Sequence, residues 1–185
     1  MIEIEMPGDG DLAAARDVFA ELSDSRALLD GSVDGQPMSI SAGRLYAHAV
    51  DPNPAPDAAL EAALDSILAL RRVYRGYLAG AAAYRLGEVA AASTDQIPPR
   101  RGDGCRITVE PSQAEPDRLM VILELDGGGD GARAAPGTLM LCDRDDRCFR
   151  FALPGPHRGV IQFIVTADDP ILPLLRDPRT EALLR

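Results

Sequence analysis

Cys105-Arg106-Ile107-Thr108-Val109-Glu110 and Leu119-Met120-Val121-Ile122-Leu123-Glu124-Leu125 decide the fold class of this 185-residue chain. The first stretch alternates apolar and polar residues, the period of a half-buried strand. The second is apolar almost throughout and reads as a more deeply buried strand. The link between them is too short for a crossover helix, so the two strands run antiparallel.

Three more strands follow at similar spacing. Thr138 to Cys142 is the third and Asp143 to Arg147 the polar turn after it. Cys148 to Leu153 is the fourth, ended by Pro154-Gly155-Pro156. Gly159 to Thr166 is the fifth, with Ile161, Phe163 and Val165 on one side and Val160 and Ile164 on the other. Asp169-Pro170 and Asp177-Pro178 each read as an N-cap followed by a first helical residue, which predicts short helices over 171–176 and 179–184.

Towards the amino end the period changes from two to 3.6. Leu60, Leu64, Ile67, Tyr74, Leu78 and Ala81 mark one long helix from Asp57 to about Ala92, rich in Ala. The prolines of 51–56 predict an extended connector before it. A shorter helix over 39–50 turns Leu45, Tyr46 and Ala49 inward, and another over 11–29 follows a cap at Asp11. The expected fold is therefore α+β: an amino-terminal helical bundle or hairpin (residues 1–97), a linker (98–104), and a small antiparallel β-meander or sandwich with short carboxy-terminal helices (105–185).

The formal charge is −10, and all 19 basic residues are arginine. This balance argues against nucleic acid and anionic membrane as partners. No stretch approaches the apolar length of a bilayer span, and residues 1–7 have no signal-peptide pattern. The expected location is cytoplasmic, with the three cysteines reduced.

Cys105, Cys142, Cys148 and His157 are the residue types of a tetrahedral zinc site, although no C-x-x-C knuckle is present. A disulfide across the 142–148 hairpin is a second arrangement, and buried thiols a third. Asp143, Asp145 and Asp146, or Asp126 and Asp130, offer oxygen ligands without the spacing of a calcium loop. Aspartates in such turns also serve the turn itself. His48 lies near Ser39, Ser41 and Asp51, but nearness in sequence makes no triad.

Arg71, Arg72 and Arg75, with Tyr74 and Tyr77, form the strongest basic and aromatic cluster. It suits an acidic peptide or surface, a phosphate, or the acidic amino-terminal region of another copy of the chain, and the plainer alternative is a solvated polar stripe beside the apolar core. A partner peptide adding a strand to an open sheet edge is the other mode of contact. The chain reads as a non-enzymatic interaction or regulatory adaptor that needs no cofactor. The alternatives are a small metal-assisted hydrolase and a structural homo-oligomer component.

Overall fold

The computed structural model describes residues 40–87, 97–102, 104–113, 115, 117–126 and 135–185, with the backbone of 32–33 and 36–37. The helix expected over 11–29 lies outside the described residues. Strands β1 (Ser32–Val33) and β2 (Gln36–Pro37) pair as a minimal antiparallel ladder.

Three helices follow. Helix α1 (Ala42–Val50) is capped by Ser41, whose hydroxyl accepts from the Arg44 amide. Leu45 and Ala49 are buried as expected, whereas Tyr46 points outward. Helix α2 (Ala58–Ser66) is capped by Asp57, which also takes a two-pronged contact from the Arg44 guanidinium at 2.8 and 2.6 Å. One carboxylate thus closes the start of α2 and ties it to α1.

The single helix expected over 57–92 is a correction. Ile67 is extended, so α2 stops at Ser66 and α3 (Leu68–Ala81) starts afresh. The Arg71 guanidinium turns back to the carbonyls of Leu64 and Asp65, satisfying acceptors that the break leaves open. Beyond Ala81 the chain becomes strand β3 (Tyr84–Leu86). Alanine content favours a continued helix there, but pairing with a distant strand buries Tyr84 and Leu86.

Two four-stranded antiparallel sheets form the rest. The first has the order β3, β10 (Glu181–Leu184), β7 (Thr138–Cys142), β8 (Cys148–Ala152). The second has the order β4 (Arg100–Gly102), β5 (Cys105–Pro111), β6 (Arg118–Leu125), β9 (Val160–Thr166). The five strands expected over 105–166 are all present. Strand β10 corrects the helix expected over 179–184. There Asp177 serves a turn instead of a helix start, its carboxylate accepting from the Arg179 amide. Strand β4 corrects the expectation that regular structure is absent from 98–104.

Alternation along the strands sorts the side chains into two cores. Leu139, Leu141, Ala182 and Leu184 join Ile107, Val121, Leu123 and Ile161 between the sheets. Met140, Cys142 and Leu183 point the opposite way and meet Leu45, Leu60, Leu70 and Leu78 of the helices. The first sheet is thus the middle of three layers, and β7 and β10 are buried along their whole length. Strand pairing also crosses the 98–104 segment, because β3 lies before it and β10 after it.

Two local features hold the ends of this arrangement. Helix α4 (Ile171–Arg176) buries Ile171, Leu172 and Leu175. Its last carbonyls, and those of Asp177 and Thr180, accept from the guanidinium of Arg100, which is only 1% exposed. Where β3 and β4 converge, a Cβ on Gly102 would stand 2.0 Å from the Arg85 carbonyl oxygen, so only glycine fits.

Candidate functional site

The turn between β7 and β8 carries the site. The Asp143 carboxylate accepts from the amides of Asp145 and Arg147, which fixes a tight polar turn. Asp146 follows with a positive φ of 60°. Across the turn, Cys142 and Cys148 occupy directly opposed positions, with Cα atoms 4.0 Å apart, and are joined by a disulfide. They form a non-hydrogen-bonded pair, in which opposed side chains approach most closely. The reduced-thiol expectation is therefore corrected for these two cysteines, and the cysteine count no longer argues for a reducing compartment.

The expected zinc ligands do not gather. Two of the thiols are consumed by the bridge. Cys105 is buried in the core between the sheets, on the far side of the first sheet from Cys142. His157 is exposed in the turn before β9. Among the described residues no three His, Cys, Asp or Glu side chains are grouped to hold a metal ion.

Helix α3 lies against this hairpin. Arg71 donates to the Asp145 carbonyl at 2.9 Å, in addition to its contacts at the end of α2. Arg75 donates to Asp146 at 2.8 Å and to Glu181 at 3.0 Å. Arg72 stands 3.6 Å from Asp146, and Arg85 donates to Glu181 at 2.8 Å. Burial alone would lower the Arg75 guanidinium, but its bonds to Asp146 and Glu181 outweigh that and raise it above the ordinary value. The acids that complement Arg72 and Arg75 are thus the chain's own, and Arg71 is taken up by backbone carbonyls. Asp146 and Glu181 escape a reading of the sequence, although the Asp-Arg alternation of 143–147 and a lone acid inside an apolar run are their traces.

The two tyrosines divide. Tyr77 meets Tyr46 edge-on, with ring centres 5.3 Å apart, and Tyr46 is half exposed. Tyr74 is buried, and its hydroxyl lies 3.0 Å from His48 Nδ1. Burial pushes the Tyr74 phenol up. Burial, and then the charge of Arg150, lowers the His48 imidazole, while Asp57, Glu61 and Asp51 oppose the shift. Ser41 is engaged as a helix cap and Ser39 lies outside the described residues, so the described serine makes no nucleophile–base pair with His48.

Between the α2–α3 break and the hairpin is a pocket of about 170 Å³, lined by Leu64, Arg71, Tyr74, Arg147, Cys148 and Phe149 among others. Phe149 is 40% exposed at its rim. The Arg147 guanidinium has no ion pair among the described residues. Beside the pocket runs the edge of β8 that no strand pairs among the described residues. The bonds Asp143 N–H to Arg147 O and Leu153 N–H to Gly137 O set the alternation of this ladder. They turn the amides and carbonyls of Phe149 and Phe151 towards β7, and those of Cys148, Arg150 and Ala152 away from it.

No protein-family model, curated protein or solved structure matches this chain. Among the described residues, no helix is long and apolar enough to cross a membrane.

Proposed function

We propose that this chain is a non-catalytic protein-interaction domain that captures an extended, acidic segment of a partner protein along β8. One observation carries the reading. The outward amides and carbonyls of Cys148, Arg150 and Ala152 have no backbone partner among the described residues, and they border a mixed pocket in which Leu64, Tyr74 and Phe149 stand beside Asp65, Asp146 and the Arg147 guanidinium, which has no ion pair among the described residues. An added strand supplies main-chain bonds, and alternate side chains supply specificity. A pocket of this volume takes one large apolar side chain, and Arg147 favours a carboxylate beside it. Arg71 and Arg75 hold the hairpin in place for this contact, and Arg72 stands beside them at Asp146.

Selection from a displayed library of linear peptides tests this reading. The expected winners place an apolar residue next to Asp or Glu. On binding, they slow hydrogen exchange at the amides of Arg150 and Ala152. Ala152→Pro removes an edge donor that the fold does not use, and should abolish capture while leaving the unfolding transition in place. Peptides that bind Ala152→Pro as well as the parent, or that protect only α3, overturn the proposal.

A further inference from the structure

A second cleft lies at the far end of the other sheet, away from β8. Pairing of β4 with β5 begins at Arg100 opposite Ile107. Pro98 and Pro99 stand just before it and carry no N–H, so the ladder cannot continue in that direction. The bonds Ser112 N–H to Arg118 O and Asp126 N–H to Gly104 O set the alternation of β5 against β6. They turn the amide and carbonyl of Val109 away from β6, into the gap that the two prolines leave.

That gap is a cleft of about 460 Å³, within the roughly 300–1,000 Å³ of small-molecule sites. Ile97, Pro99 and Leu119 give it an apolar wall. Two guanidiniums stand at its margin. Among the described residues Arg106 has a buried Nε with no hydrogen-bond partner, and its Nη1 reaches only a loose, exposed contact with Glu124 at 3.7 Å. Arg176, at the end of α4, has no ion pair or hydrogen bond among the described residues. The Arg106 side chain is 41% exposed, so its outer guanidinium nitrogens remain open to a ligand oxygen. Glu110 on the same rim opposes a second negative charge.

We infer that this cleft binds a small amphipathic monoanion. One carboxylate or sulfonate would lie between Arg106 and Arg176, and an aromatic or aliphatic body would lie on the Ile97–Pro99–Leu119 wall. Neither the edge of β8 nor the 170 Å³ pocket takes part, so this site stands or falls independently of the peptide-capture reading.

The probe is 1-anilinonaphthalene-8-sulfonate, an apolar monoanion whose fluorescence rises on transfer out of water. The expected result is saturable binding at one site, with backbone shifts centred on Val109 and Leu119 and a raised unfolding temperature. Arg176→Ala, at an exposed helix end, and Arg106→Gln should each weaken binding about tenfold or more. The uncharged N-phenyl-1-naphthylamine should bind correspondingly more weakly than the sulfonate. Thr108→Trp should obstruct the cleft without touching the core. Failure to saturate overturns the inference. So do shifts that map elsewhere, a neutral analogue that binds as well as the sulfonate, and arginine variants that bind like the parent.

Discussion

Arg75 of α3 and Glu181 of β10 meet at 3.0 Å across 106 residues of sequence, joining the helical layer to one of the two inner strands of the first sheet. Glu181 is only 8% exposed and also receives Arg85. Removing one partner of such a pair leaves the other charge poorly solvated. Glu181→Ala should therefore cost about 3 kcal/mol in denaturant unfolding. Arg85→Ala, which removes a more exposed partner, should cost well under half of that. Equal effects would show that the pair does not hold the layers together.

Gly102→Ala should be among the most damaging small substitutions in the second sheet. The new methyl meets backbone, the Arg85 carbonyl oxygen, and not the yielding end of a side chain. A loss of about 3 kcal/mol is expected. Gly80→Ala, where a Cβ meets nothing within 4 Å, is the control and should be neutral or stabilising.

Arg100→Met keeps the approximate length of the side chain and strips four carbonyl groups of their donor. Thermal unfolding should report a loss of about 3 kcal/mol. Hydrogen exchange should locate the first loosening at 174–180. Arg100→Lys should rescue only part of it, because an ammonium cannot spread its donors as a planar guanidinium does.

Stability should fall on mild acidification through His48. Its folded pKa lies below the ordinary value of 6.5, chiefly because of burial and then Arg150. The unfolded chain therefore takes up the proton first. The associated stability is fully present above pH 6.5 and is lost as pH falls through the depressed folded value. His48→Gln should flatten this part of the profile. Asp57 acts in a more acidic window. Its hydrogen bond from Arg44 holds it below its ordinary 3.8, so its contribution is present above that value and disappears at lower pH. A His48→Gln profile identical to the parent's between about pH 7 and 5 would sink the assignment.

Reduction should expose the hairpin bridge. In denaturant the parent should take up alkylating reagent at Cys142 and Cys148 only after a reductant, and it should lose about 2 kcal/mol of stability when the short loop is opened. Cys142→Ser/Cys148→Ser should reproduce the loss and be insensitive to reductant. Intact mass before and after reduction reads the bridge directly.

Much of the second half of the fold was legible, because alternation at Cys105–Glu110 and 159–166 is a local property of the residues. The helical character of 68–81 was legible too, but neither its start after the extended Ile67 nor its end was. Alanine at 81–83 and 90–92 favours helix, and only the distant Ala182–Leu184 segment makes a strand of Tyr84–Leu86. Arg100 was hidden by its setting. In Pro98-Pro99-Arg100-Arg101-Gly102 it resembles linker charge, and its burial is decided by carbonyls about 75 residues later. The cluster Arg71, Arg72 and Arg75 could be recognised as basic. Its partner Asp146 lies 71 residues beyond Arg75, and Glu181 lies 106 beyond it, so no spacing rule links them. An open sheet edge was foreseeable, though not which strand would supply it, since strand order is set by the whole sheet.

The position of β10 has a consequence for how the molecule comes into being. Its neighbours, 84–86 and 138–142, leave the ribosome before it does, yet they cannot touch until residues 181–184 are inserted between them. During translation both neighbours carry bare, apolar flanks with no mate, a condition that invites self-association. Newly made chains should depend on holding chaperones until residues 181–184 have been made and inserted.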